Sequence, residues 1–305
     1  MARSSVRTRG EYRHAALLMV AGMLAFAALD GLRKAMAADV PVTVIVATRY
    51  VAFLAVIACW LPGQGRALLR TSHLWLQIIR SIVMVAEASV FVIALRHASL
   101  ANASAVFALA PVAGVLFAVL LLRERARRVT WIALAVSLAG IVIMLRPGGT
   151  SGTSGTSGAS EAGDQRLGLL LALASAVLYG LYGVLTRKVS DDGARTSFAY
   201  MTLVGLIVVA MASAVTTTHW RPDGHQYLLL ALAAVAAAIG QYLLIHSYGR
   251  APAVSLQPYN YFLFAWSVPI SVIFFAAPPS VTIVVGAVLV IGAGAFLFVT
   301  TADPA

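Results

Sequence analysis

Polar residues punctuate this chain at intervals that leave ten apolar runs. They extend approximately over Ala15–Leu32, Pro41–Leu61, Leu74–Leu95, Ala98–Leu122, Val129–Leu145, Leu167–Leu185, Ser197–Val215, Tyr227–Tyr248, Val254–Ala276 and Val281–Thr300. Each holds about 17 to 25 residues, which as helix at about 1.5 Å per residue is the length needed to cross a hydrocarbon layer about 30 Å thick. The pattern predicts an all-α membrane protein of ten transmembrane helices.

One connection differs from the others. Arg146–Arg166 reads RPGGTSGTSGTSGASEAGDQR, a composition that cannot bury enough apolar area to order itself and therefore predicts a flexible linker. It divides the chain into a basic segment at 1–14, a five-helix unit at 15–145, the linker at 146–166 and a second five-helix unit at 167–301. Sliding the second unit back by about 154 residues sets Leu17 on Leu171, Arg33 and Lys34 on Arg187 and Lys188, Thr48 on Thr202, and Arg96 on Arg250. An odd number of spans per unit forces the second to enter the membrane from the opposite side. The expectation is thus two inverted repeats, an architecture of secondary transporters.

Composition removes the soluble alternative: 61% of residues are hydrophobic and 11% charged, against about 45–50% and 25% in soluble domains, and the mean hydropathy is +0.90. The net charge of +11 would suggest nucleic acid in a soluble chain. Here the basic residues cluster between spans, where they set orientation. With the N-terminus inside, fifteen of the 22 Lys and Arg lie on the cytoplasmic side, so both termini are expected in the cytoplasm and the linker in the periplasm. Arg3, Arg7, Arg9 and Arg13 before the first run resemble a secretory leader, but the run is about eighteen residues long, beyond most leader segments, and is read as the first span. The single cysteine, Cys59, excludes an intrachain disulfide and a cysteine-cluster metal site. Neither a metal nor a cofactor is expected.

The order of local patterns carries a resemblance. Ser99-Leu100-Ala101 opens the fourth run, Pro111 lies inside it and Arg123-Glu124-Arg125 ends it. Later come Gly240-Gln241-Tyr242-Leu243-Leu244, Arg250-Ala251-Pro252-Ala253, Pro258-Tyr259-Asn260-Tyr261, Pro278 and Gly286. Together these resemble the two units of an EamA-type transporter of the drug/metabolite transporter superfamily. One departure is Ala277, where the second unit of that family usually carries an acidic residue. The resemblance implies a ten-helix carrier in a bacterial inner membrane that moves a small metabolite, amino-acid-like or another small organic solute, by alternating access.

Other classes fit less well. A membrane enzyme acting on lipid-linked substrates would need a catalytic constellation, and the sequence has no HExxH, His cluster or Gly-x-Ser-x-Gly; no catalytic residues are assigned. A passive channel would need a charged ring or re-entrant segments, and a receptor or scaffold a sizeable domain outside the membrane. No GxxxxGK[ST] is present, so neither ATP hydrolysis nor an ATP-binding subunit is implied.

Ionisable side chains inside spans cost at least about 2.5–3.5 kcal/mol on insertion scales and mark function by default. The leading substrate or coupling-ion candidates are Arg49, Glu87, Gln241, Tyr259 and Asn260. Weaker candidates are Asp30, which local pairing with Arg33 and Lys34 could explain; Arg80, which could reach lipid head groups; His246, close to a span end; and the aromatic pair Tyr179 and Tyr182. Arg49 and Glu87 each lie eight residues, roughly 12 Å, below the same boundary. They are expected to pair, either permanently or in competition with substrate or a proton.

Overall fold

The computed structural model describes residues 9–60, 69–122, 128–144, 159–215, 223–250, 257–277 and 279–301. The described residues form helices α1 (Arg9–Met36), α2 (Val42–Trp60), α3 (Leu74–His97), α4 (Leu100–Phe107), α5 (Ala110–Leu122), α6 (Arg128–Met144), α7 (Ala159–Lys188), α8 (Ala194–Val215), α9 (Gly224–Arg250), α10 (Phe262–Phe275) and α11 (Val281–Thr301). Short 3₁₀ turns at Ser190–Asp192 and Gln257–Tyr261 complete the set. Six segments are long and apolar enough to cross a membrane, the α4–α5 pair counting as one, and three shorter helices are also apolar. The turn carrying Glu124 and most of the expected linker lie outside the described residues. α7 begins at Ala159, so its first turns occupy the end of the stretch assigned to the linker.

Two apolar runs are not continuous α-helix, and proline explains both. Ser99 caps α4 by accepting from the Asn102 N–H at 3.3 Å. The helix stops at Phe107, the residue whose carbonyl the Pro111 ring would crowd in a continuous helix. Ala108 and Leu109 bridge the break, with the Leu109 N–H reaching the Val106 carbonyl at 3.1 Å and the Val112 N–H reaching Leu109 at 2.9 Å. In the ninth run Pro258 lies in the 3₁₀ turn that leads into α10, and Pro269 sits inside α10 itself.

Polar and apolar residues have exchanged the places they take in a soluble protein. Asp30, Arg33, Arg49, Gln77, Arg80, Glu87 and Gln241 are buried, while Trp75, Val215, Ile273, Phe274 and Val281 are each at least 74% exposed. Such a surface suits lipid, and the chain is a multi-pass membrane protein.

Helix pairing links the halves reciprocally. α1 packs on α9 as α7 packs on α3, α2 packs on α9 as α8 packs on α3, and α10 packs on α1 as α4 and α5 pack on α7. α2 with α8 and α6 with α11 map onto themselves. Small residues permit the closest contacts. A Cβ on Gly180 would lie 2.6 Å from the Gly114 nitrogen, and one on Gly140 would lie 2.8 Å from the Gly286 carbonyl oxygen.

Candidate functional site

Many of the buried polar residues converge on one cavity. α1 supplies Asp30 and Arg33, α2 Arg49, α3 Glu87, α4 Ser104, α7 Tyr179 and Tyr182, α9 Gln241, and the 3₁₀ turn before α10 Asn260. Phe26, Phe91, Phe107 and Phe264 add aromatic wall. Along one side the rings touch in series, Phe91 to Phe107 at 5.1 Å, Phe107 to Tyr179 at 5.3 Å and Tyr179 to Tyr182 at 6.1 Å between centroids. The cavity measures about 50 Å³. By a measure on which one water needs about 10–15 Å³, that is room for a few waters.

Arg49 and Glu87 both line this cavity, but they do not form the expected ion pair. Arg49 donates from Nη2 to Gln241 Oε1 at 3.2 Å and lies over the Phe53 ring at 5.3 Å. Glu87 accepts from the Ser175 hydroxyl at 3.1 Å. Both reach one cavity, but the neighbours differ: α2 packs chiefly on α8 and α9, and α3 on α7 and α8. Each side chain therefore finds its partner in the other half of the chain.

Asp30 does pair locally, with Arg33 Nη1 at 2.9 Å, and both side chains are at most 7% exposed. The pair is buried against the cavity rather than hydrated at a span end. Lys34 takes no part; its Nζ caps the end of α3 through the carbonyls of Leu95 at 2.6 Å and Ala98 at 2.8 Å. Arg33 was not among the residues singled out by sequence, although its i, i+3 spacing from Asp30 places both on one helical face.

Arg80 does not reach toward head groups. It is 2% exposed, donates to Gln77 Oε1 at 2.9 Å, the Ser197 carbonyl at 2.5 Å and the Thr186 hydroxyl at 3.3 Å, and lies over the Tyr182 ring at 5.5 Å. Tyr259 is outside the cavity lining, its ring stacked on Phe262 at 6.4 Å. His246 also lies away from it, with Nδ1 2.9 Å from the Tyr242 carbonyl and its ring 4.0 Å from that of Tyr242.

Arg80 belongs to a second polar cluster, which sequence reading did not find, where the α3 N-terminus meets the α7–α8 turn. Asp192 accepts from the Thr71 hydroxyl, the Ser72 N–H at 3.1 Å, the Ser72 hydroxyl at 3.0 Å and Gln77 Nε2 at 2.9 Å. Gln77 Nε2 also donates to the Ser197 hydroxyl at 3.2 Å. Burial alone would raise the Asp192 carboxyl, but the hydrogen bonds from Thr71, Gln77 and Ser72 outweigh it and hold it down at about 2. The partners stand about 120 residues apart, so no local pattern announces them. Among the described residues, no group of three or more His, Cys, Asp or Glu could hold a metal ion.

The EamA-like transporter family matches residues 13–146 and again 166–300. The chain belongs to that family. It is 28% identical over 298 residues to a riboflavin transporter of Brucella anthropi, covering 92% of this chain and 96% of the relative. A riboflavin transporter of Vibrio cholerae is 24% identical, with 92% of each covered. An S-adenosylmethionine uptake transporter of Rickettsia felis is 20% identical over 77% of this chain and 75% of its own. A solved crystal structure shares the fold, with a TM-score of 0.66, 21% identity and coverage of 96% of this chain and 98% of that one. This EamA-like chain is therefore a membrane transporter of small metabolites and not an enzyme.

Proposed function

We propose that this protein moves riboflavin, or a neutral heteroaromatic metabolite of similar size, across the bacterial inner membrane by alternating access. The observation that carries the reading is a single buried cavity that combines a run of aromatic rings with Arg49, Gln241 and Asn260. A flat heterocycle stacks on such rings and takes hydrogen bonds at its edge. The relatives named riboflavin transporter support the same cargo class.

The working architecture is ten spans in two inverted five-helix units, with α4 and α5 as one broken span, both termini cytoplasmic and the linker periplasmic. The reciprocal helix pairing supports the repeat, and the distribution of Lys and Arg supports the orientation. The small cavity fits a contracted conformation, because sites for drug-sized ligands occupy about 300–1,000 Å³. Substrate entry then requires the walls to part. Glu87 is the residue through which a proton would be coupled.

The test is uptake of labelled riboflavin by a riboflavin auxotroph that lacks its own transporter. The expected result is uptake and growth on low external riboflavin, both absent with empty vector. Uptake of labelled S-adenosylmethionine without riboflavin, or of neither, refutes the reading.

A further inference from the structure

In the cavity, acceptors and donors are unequally satisfied. Both carboxylates have a donor: Asp30 takes Arg33 Nη1 at 2.9 Å, and Glu87 takes the Ser175 hydroxyl at 3.1 Å. By contrast, Nε and Nη2 of Arg33, Nε of Arg49 and the Ser104 hydroxyl are buried without a hydrogen-bond partner among the described residues. All three residues line the cavity, and Arg33 is 4% exposed. A buried donor left unmade is destabilising, the more so when it is charged.

Arg33 could simply be the counter-charge of Asp30. An arginine in that role can close a two-pronged fork on its carboxylate. This one engages a single nitrogen, Nη1, and leaves open the edge on which the Nε and Nη2 hydrogens run parallel. That edge fits two adjacent acceptors: the oxygens of a carboxylate, or a carbonyl oxygen and the ring nitrogen beside it. The neutral heterocycle is the better match, since Asp30 already balances the charge of Arg33 and a carboxylate would bring a further negative charge toward Glu87.

We infer that Arg33 is a specificity-determining residue, whose open Nε–Nη2 edge receives a carbonyl oxygen and adjacent ring nitrogen of the substrate. This rests on the functional reading above, because the dione ring of riboflavin carries that pair of acceptors. The donors meet it when the walls part around the ligand, and Ser104 and Arg49 offer further donors in the same cavity.

The experiment measures binding of riboflavin and 2-thioriboflavin, in which sulfur replaces the C2 carbonyl oxygen beside the acceptor ring nitrogen, to the purified full-length protein in nanodiscs. The parent should bind the thio analogue about tenfold more weakly, since one good hydrogen bond is worth roughly that factor. Arg33→Gln should lose at least about tenfold for riboflavin and bind both ligands equally, and Arg33→Lys should not restore the discrimination. Asp30→Asn removes the ion pair but keeps the edge, so discrimination should persist there. Equal binding of the two ligands by the parent overturns the inference, whether or not the variants fold. So does discrimination that survives in Arg33→Gln, or benzoate displacing riboflavin more effectively than riboflavin itself. A parent that binds no riboflavin overturns the functional reading, and this inference with it.

Discussion

Replacing Asp192 by Asn should loosen the end of the helix bundle where α3 meets the α7–α8 turn. The carboxylate accepts from the Thr71 hydroxyl, both the N–H and hydroxyl of Ser72, and Gln77 Nε2, joining the two halves of the chain. An asparagine keeps one acceptor oxygen and turns an NH₂ toward donors that want an acceptor. Hydrogen bonds to a charged group contribute about 1.5–3 kcal/mol when buried, but water competes at this half-buried site. A total near 2 kcal/mol is the reasonable scale, or about 30-fold in the population of a conformer opened at this end. The assay is the maleimide labelling rate of Met84→Cys, which lines the cavity, in a Cys59→Ala background and in vesicles exposing that end. The rate should rise by about 10- to 30-fold with Asp192→Asn. Unchanged labelling, or a lower melting midpoint with no change in labelling, would refute the latch. The sign of the pH dependence follows from the Asp192 carboxyl, held at about 2 against an ordinary 3.8. A depressed carboxyl contributes fully above its ordinary value and loses that contribution as pH falls through 2. The ratio of the Asp192→Asn labelling rate to the parent rate should therefore be constant between pH 5 and 8, the rise of the thiolate fraction with pH being common to both.

Glu87→Gln should insert and fold normally while transport loses its pH dependence; an unaltered pH profile would leave Glu87 as a structural acceptor for Ser175. Gly180→Ala should lower the melting midpoint, with overpacking costing about 1–3 kcal/mol, because its Cβ would meet the Gly114 nitrogen at 2.6 Å and the Ala113 carbonyl carbon at 2.9 Å. A midpoint within error of the parent would show that the two backbones can separate freely. Ser154→Cys in a Cys59→Ala background should react with an impermeant maleimide in intact cells, and reaction only after permeabilisation would invert the topology.

That Arg49, Glu87 and Gln241 stand out as polar residues within spans was legible in the sequence, but direction around each helix was not. Counting residues from the span ends set Arg49 and Glu87 at one expected depth, and both line one cavity with Gln241. In a soluble helix an apolar stripe marks the inward face. A span bounded by lipid is apolar all round, so its sequence does not say which neighbour it touches. That is why Arg49 was matched to Glu87 on the adjacent span instead of Gln241, 192 residues away. Arg80 failed for the same reason, its partners Thr186 and Ser197 lying on α7 and α8. Pro111 was visible in sequence, and the break it causes between α4 and α5 brings Ser104, Phe107 and Ala110 to the cavity. Arg33 was passed over because its nearness to Lys34 suggested an aqueous span end.

A chain whose helix pairings map onto one another when its halves are exchanged is nearly degenerate. In the alternating access proposed above, an arrangement closed at one end and its two-fold-related counterpart closed at the other would be built from the same kinds of helix contact, and identical halves would give them equal free energy. Whatever tilts the balance must then reside where the halves have diverged. Asp192 with Thr71, Ser72 and Gln77 is one such divergence, holding one end through side chains. Elsewhere, Lys34 and Arg96 tie α1 and the α1–α2 turn to α3 through backbone carbonyls, while Arg250, the repeat counterpart of Arg96, donates to the His246 carbonyl on its own helix. On that proposal the resting bias of the carrier would be adjustable at a few polar positions, with the helix scaffold left as it is.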